Sequence, residues 1–248
     1  MRILWDNEYD LSGNTITANS ESSVYGLSNL DDYQLVKVYR STGDSAEWVK
    51  IDAGAGNTIT ATCAAICSHN LTSGATIKIQ GHTADSWVTP DVDESFTHDD
   101  GNMVKTFSSA AKRYWRFSFA DGSNPDGYIE IGRLFLGTYL TLDDPYTDFP
   151  YEILDTSIVD ESITGQSFGD EGITRRSYSF NWNHWTNTEK ANIITMFEDV
   201  KTVKPVIIVP DPDNTDKLVI DYVRITELSV KHWYNYAWNG RINFVEVK

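Results

Sequence analysis

The side chains able to do chemistry in this 248-residue chain are scattered, with no catalytic spacing among them. The five histidines stand at positions 69, 82, 98, 184 and 232. None belongs to HExxH or another spaced ligand pattern, so local hydrogen bonding accounts for them. No strand-turn-helix frame carries a G-x-S-x-G elbow, a Walker loop or a G-x-G-x-x-G turn, and Gly165 and Gly169 bracket only a polar loop. Cys63 and Cys67 form C-x3-C. On a strand they share a face but lie about 13 Å apart, too far for a disulfide, so both are expected to pack as small apolar residues. Asp91, Asp93 and Glu94 precede His98, Asp99 and Asp100 closely. A carboxylate pair such as Asp91 and Asp99 does acid–base work only where a fold sets the two suitably, and the expectation is that the chain is not an enzyme. The run Asp211-Pro212-Asp213-Asn214-Thr215-Asp216 sets hard oxygens at alternate positions, which suits Ca²⁺. It lacks the Gly and the distal Glu of an EF-hand, so Asp211, Asp213 and Asp216 read either as calcium ligands or, more plainly, as an Asp/Asn-rich hairpin loop.

Aromatic residues make the better case for a binding surface. Trp87, Trp115, Tyr128 and Tyr139 offer ring faces suited to the apolar faces of sugars, with turn residues nearby to supply hydrogen bonds. Trp48 and Trp115 lie in strand-like runs and are expected in the core. The loop-borne Trp87, together with Tyr128, is the candidate ligand contact. Trp182, Trp185, Trp233, Tyr234, Tyr236 and Trp238 crowd into fewer than sixty residues. Either they build an aromatic-rich core or they form an assembly interface, where aromatics are enriched.

Composition narrows the classes further. With 20 Lys and Arg against 36 Asp and Glu the net charge is −16, which repels phosphates and disfavours nucleic acid as a partner. An aromatic content of 12% with 23% charged residues lets the chain bury enough apolar surface to fold. No apolar run approaches the roughly 18 residues of a membrane span, so no membrane insertion is expected. The first residues, MRILWDNEYD, reach acidic residues at once and lack the apolar stretch of a secretory signal. Two cysteines make no disulfide framework and suit synthesis in a reducing cytoplasm.

The elements that must position these residues are mostly strands. Short apolar or alternating runs at Gln34–Tyr39, Trp48–Ile51, Thr58–Cys67, Thr76–Gly81, Tyr114–Phe119 and Tyr128–Leu136 are parted by Gly, Asn, Asp, Ser and Pro clusters. Residues 141–156 carry two prolines and five acids without a sustained period, which reads as a linker. Beyond it Tyr178, Phe180 and Trp182 alternate as one face of a strand. Thr186 and Glu189 then fit a capping box ahead of Ile193, Met196, Phe197 and Val200, the face of the one convincing helix. Lys204–Pro210, Leu218–Thr226, Glu227–Trp233 and Trp238–Val247 complete a β-α-β-β-β-β order.

Several of these stretches, in order, resemble the discoidin-like (F5/8 type C, galactose-binding-like) family. They are Asn29-Leu30-Asp31-Asp32, Glu47-Trp48-Val49-Lys50-Ile51-Asp52-Ala53-Gly54, Ala65 to Leu71, Thr76 to Gly81, Lys112-Arg113-Tyr114-Trp115-Arg116-Phe117 and Ile129 to Gly137. The chain departs from that family in lacking its paired terminal cysteines. The run Ser68-His69-Asn70-Leu71, followed later by IGRLFLG, also resembles discoidin-type modules of bacteriophage tail proteins. The segments RRSYSFNW, TNTEKANI, KPVIIVPD and WNGRINFVEV are similar to the belt-forming domain of distal-tail and baseplate-hub proteins.

The resemblance implies a mainly β protein. Residues 1–142 would form a discoidin-like sandwich (jelly roll), 143–154 a linker, and 155–248 a smaller β-rich assembly domain with one α-helix. It implies a structural component of a tailed-phage virion, synthesised in the bacterial cytoplasm. The C-terminal domain would form a homo-oligomeric ring, a hexamer or trimer, beside neighbouring tail proteins. The sandwich would decorate that ring or contact a host-surface glycan. The alternative is a lectin-like, carbohydrate-binding module in receptor recognition. No cofactor is expected beyond a structural Ca²⁺, which discoidin-like domains often hold near their N-terminal loops and which by resemblance falls at Asn29, Asp31 and Asp32.

Overall fold

The computed structural model describes residues 1–143, 151–213, 219–234 and 237–248, with Trp233 and Tyr234 described by their backbone only. The first strands are β1 (Arg2–Asn7), β2 (Thr15–Ala18), β3 (Tyr39–Arg40), β4 (Glu47–Asp52) and β5 (Ile59–His69). They are followed by β6 (Thr76–His82), β7 (Val92–Ser95), β8 (Met103–Lys112), β9 (Tyr114–Ala120) and β10 (Glu130–Thr141). Then come β11 (Tyr151–Asp155), β12 (Ile158–Glu161), β13 (Ser167–Asp170) and β14 (Thr174–Trp185). Helix α1 (Asn187–Val200), β15 (Val206–Val209), β16 (Asp221–Tyr234) and β17 (Ala237–Glu246) close the order. The fold is thus mainly β, with one α-helix among the described residues.

A five-stranded antiparallel sheet, β2-β4-β9-β6-β7, faces the β10-β5-β8 part of a larger sheet ordered β11-β14-β17-β16-β15-β1-β10-β5-β8. Period-two alternation decides which residues meet between them. Val49, Ile51, Ile77, Ile79, Trp115, Phe117 and Phe119 point inward from the small sheet against Ala61, Ala64, Ile66, Ile131, Leu134 and Leu136 of the large one. The indole of Trp115 fits because position 81 is glycine: a Cβ there would come within 2.8 Å of the ring. This is the expected sandwich.

The large sheet continues past the sandwich through β1. Ile3 is opposite Leu140 on one side and Ile208 on the other, so the N-terminal strand bridges β10 and β15. On the face that covers the sandwich core nearer β5, a second core forms under α1. Ile3, Phe180, Trp182, Trp185, Ile208, Ile225, Ile242 and Phe244 meet Ile193, Met196 and Val200 of the helix there. The predicted capping box is present: the Thr186 hydroxyl accepts from the Glu189 N–H at 3.2 Å, and the Glu189 carboxylate accepts from the Thr186 N–H at 2.7 Å. The opposite face of the same sheet buries Leu4, Cys63, Ala65, Cys67, Phe135, Ile207, Val209 and Tyr222. Asn102 donates to the carbonyl of Ile220 at 2.9 Å, so the β7–β8 connection meets the start of β16 across this third cluster.

Several expectations need correction. Gln34–Tyr39 is a turn, held by the Lys37 N–H to Gln34 carbonyl bond, and only Tyr39–Arg40 pairs as a strand. The two runs drawn from Leu218 to Trp233 are one long strand, β16. β11 begins at Tyr151, inside the segment read as linker. Strands β1, β2, β7, β8, β12 and β13 were not foreseen.

Candidate functional site

The outward face of the five-stranded sheet carries one lateral rung of polar side chains. Lys50 of β4 is opposite Arg116 of β9, Arg116 is opposite Gln80 of β6, and Gln80 is opposite Asp93 of β7. The inward neighbours of these residues are the apolar core positions, so the pleat turns the rung away from the sandwich core, with Gln80 buried and Lys50 and Arg116 half-buried on that outer side. Arg116 Nε donates to Gln80 Oε1 at 2.7 Å, and Gln80 Nε2 donates to Asp93 Oδ1 at 2.9 Å. The loop after β6 folds back over this rung. Trp87 places its indole 4.4 Å from the Arg116 guanidinium and donates its N–H to Asp85 at 2.8 Å, while Asp85 accepts from Lys50 at 2.5 Å. Trp48 and Tyr114 flank Lys50, and Asp52 takes both nitrogens of Arg113 at 2.7 and 3.0 Å.

Electrostatics keep this surface charged. Asp85 and Asp93 lose solvent, which alone would raise their pKa, but hydrogen bonds from Lys50 and Trp87, and from Lys78 and Gln80, hold both below the usual carboxylate range. Burial lowers the Arg116 pKa while Asp85 and Asp93 oppose that. The face therefore offers a guanidinium fixed by the buried Gln80 amide, two carboxylates and a half-buried indole from the rung and the loop above it. Such a set can donate to and accept from adjacent hydroxyls beside an apolar ring face.

Trp87 and Tyr128, named together from sequence, occupy different clusters. Tyr128 covers Arg40, whose guanidinium lies 4.0 Å from the Tyr25 ring centroid and 4.8 Å from that of Tyr128 while donating to Glu130 at 2.5 Å. One face of the Tyr128 ring is thus occupied by Arg40. Trp48, expected in the core, is half-buried on the outer face because Val49 and Ile51 take the inward parity. Trp115 is in the core as expected. The rung itself escaped sequence reading, although strict alternation in β9, with Trp115, Phe117 and Phe119 inward, carried the signal for Arg116.

The proposed assembly aromatics divide. Trp182 and Trp185 are buried under α1, which corrects their assignment to an interface: the helix covers the face they share. Trp238 is half-buried, donating to Asn187 at 2.8 Å with Lys190 4.0 Å over its ring. Tyr236 and the side chains of Trp233 and Tyr234 lie outside the described residues.

The metal candidates do not converge. Among the described residues no three His, Cys, Asp or Glu side chains gather as a cation site. Asp32 accepts from Lys37 at 2.5 Å and from the Gln34 N–H at 2.9 Å. Beside Asp31, the buried Arg133 guanidinium donates to the Leu30 carbonyl and to Asp10 at 2.5 Å, so protein cations supply the positive charge of this loop. Asp211 and Asp213 belong to the loop after β15, and Asp216 lies outside the described residues. Asp91 pairs with Lys112 at 2.7 Å, and Asp99 accepts from the Gly101 N–H at 2.7 Å. His69 and His98 contact each other edge-on and hydrogen-bond the carbonyls of Gly101 and Leu71. Cys63 and Cys67 are buried free thiols whose pKa burial pushes up to about 12.

No protein-family model matches the chain, and no curated protein matches its sequence. Similar solved structures include chitosan-binding module 1 from a chitosanase/glucanase of Paenibacillus sp. IK-5, at 20% identity over 54% of this chain and 98% of that one, with a TM-score of 0.41. Another is the family 32 carbohydrate-binding module of C. perfringens NanJ in complex with galactose, at 13% identity over 56% of this chain and 100% of that one, TM-score 0.42. A third is the lectin domain of Lectinolysin complexed with Lewis B antigen, at 11% identity over 51% of this chain and 93% of that one, TM-score 0.40.

Proposed function

We propose that the chain is a carbohydrate-binding protein whose sandwich presents the Trp87–Arg116 face to a glycan. The observation that carries this reading is the Lys50–Arg116–Gln80–Asp93 rung lying beneath the half-buried indole of Trp87. Planar donors and acceptors fixed in one row suit neighbouring sugar hydroxyls, and the ordering cost of the site is already met by its internal bonds. The reading assigns no catalytic role. The test is a glycan array followed by calorimetry, with galactose, chitosan oligosaccharides and Lewis B antigen among the first probes. Trp87→Ala and Arg116→Ala should each abolish binding while leaving the circular dichroism spectrum unchanged. Binding that survives both changes would sink the proposal, and so would an array without a hit.

A second reading, compatible with the first, makes the chain a structural component of a tailed-phage virion that assembles with itself and with neighbouring tail proteins. What favours it is the β12–β13 hairpin. It is a separate two-stranded sheet among the described residues, and every one of its strand positions is exposed, Val159 by 71% and Phe168 by 62%. An isolated hairpin is marginal in water, so such an arm is a part that gains its stability from a partner. Light scattering on the purified chain and on mixtures with adjacent tail proteins tests it; a monomer in every mixture would refute it.

A further inference from the structure

The charge of the chain is partitioned. Residues 141–171 contain nine acidic and no basic residues, whereas residues 172–248 contain ten basic and nine acidic ones. More than half of the −16 net charge therefore sits in the segment that includes the exposed hairpin. Alternation gives that hairpin one side bearing Ile158, Asp160, Phe168 and Asp170, since Ile158 is opposite Asp170 and Asp160 is opposite Phe168. A surface that receives it must offer cations and polar donors.

Such a surface lies on the outer face of β14, β17 and β16, opposite the helix. A groove of about 380 Å³ is lined there by Asn181, Glu227, Ser229, Lys231, Asn239 and Arg241. Lys231 and Arg241 are exposed, with Arg241 3.6 Å from Glu227.

The hairpin of the same chain is aimed away from this groove. β11 and β14 pair from Tyr151 opposite Tyr178 to Asp155 opposite Thr174, and the hairpin leaves at the Asp155–Thr174 end. The groove begins at Asn181, seven residues or roughly 23 Å along β14 in the other direction. Resting on the assembly reading above, we infer that the acidic hairpin of one copy lies in the groove of a second copy, with Asp160 and Asp170 against Lys231 and Arg241. The two surfaces are different patches of one chain, so the contact is head-to-tail and propagates until a ring closes or a filament grows.

Charge exchange tests it on the full chain by light scattering. The unaltered protein should assemble. K231E/R241E and D160K/D170K should each remain monomeric, with unchanged thermal melts reporting that they fold. An equimolar mixture of the two variants should form complexes again, because each supplies the reversed partner of the other. Assembly of K231E/R241E at the level of the unaltered chain would overturn the hairpin-in-groove contact while leaving self-assembly standing. Two folded variants that fail to combine would also overturn it. An unaltered chain that stays monomeric up to its solubility limit would remove the contact and the assembly reading together.

Discussion

Replacing Arg133 by Met should weaken the fold strongly at neutral pH and progressively less as the solution is acidified. Arg133 lies on β10 beside Phe135, with its side chain 4% exposed. It donates to both oxygens of Asp10 at 2.5 Å and to the Leu30 carbonyl, under the ring of Tyr33. Met keeps the apolar stem but leaves a carboxylate and a carbonyl without their donor. Removing one partner of a buried pair costs roughly 3–5 kcal/mol. The Asp10 side chain retains 28% exposure, so water recovers part of the loss and the lower figure, about 3 kcal/mol, is expected. With a urea slope of about 2.5 kcal/mol/M the unfolding midpoint should fall by about 1 M. Burial already raises the Asp10 pKa, and Arg133 opposes that rise. Without Arg133 the folded-state value climbs further above the unfolded one. The penalty is then complete above the raised value and disappears as Asp10 takes a proton on descending through it, so the gap between variant and parent narrows toward acid. Adding Asp10→Asn to the variant should recover most of the deficit at neutral pH. A deficit under about 1 kcal/mol, the size of a surface pair, would refute the reasoning, as would one that ignores pH and Asp10→Asn.

Three further outcomes are expected. Gly240→Ala would bring a Cβ to 1.8 Å from Cζ3 of the fully buried Trp185, and overpacking there should cost about 1–3 kcal/mol or more, read as a lowered midpoint in urea. Cys63 and Cys67, with pKa values near 12 and no exposure, should resist a thiol reagent at mildly alkaline pH in the native chain and react at once in denaturant; prompt native labelling would contradict their burial. Thr186→Ala removes the hydroxyl half of the capping box at the start of α1, leaving the Glu189 carboxylate on the backbone N–H of residue 186, and should lower stability by about 1 kcal/mol in thermal or urea unfolding, with Thr186→Ser close to neutral.

Local order was legible where a local rule set it. The capping box at Thr186 and Glu189 depends on residues three apart, and the strands around Val49, Ile77 and Phe117 show the alternation that a half-buried sheet imposes. Two failures came from treating residue type as position. Tryptophan in a strand-like run reads as core at Trp48, although the parity of Val49 and Ile51 sends it outward to the side of the rung. Val36 reads as apolar strand, yet it is 74% exposed in a turn that the Asp32–Lys37 pair braces. For Trp182 and Trp185 the choice between core and interface stays open in sequence, because a strand face cannot announce whether a helix of its own chain or a second copy will cover it. The rung of the candidate site was half-visible, since β9 alone predicts that Arg116 points out, while its alignment with Gln80 and Asp93 depends on pairing across distant segments.

The same distance dependence hid the feature that governs how the two halves cooperate. β1 is six residues near the start of the chain, and its neighbours are Gly137 to Thr141 on one side and Ile207 to Val209 on the other. Nothing periodic in Arg2–Asn7 names those partners, and the entropy of closing such long loops is offset only when both edges are present to receive it. The result is one sheet whose single face carries two cores, one closed by the five-stranded sheet and the other by α1. The proposed glycan face lies on the outer side of the first cover, and the proposed hairpin groove lies on the outer side of the sheet at the far end. A charge change in the groove therefore has no shared side chain through which to alter the Trp87 face. Each surface can be varied while the sheet that joins them holds, which is the arrangement expected of a module that binds outward through one half and assembles through the other.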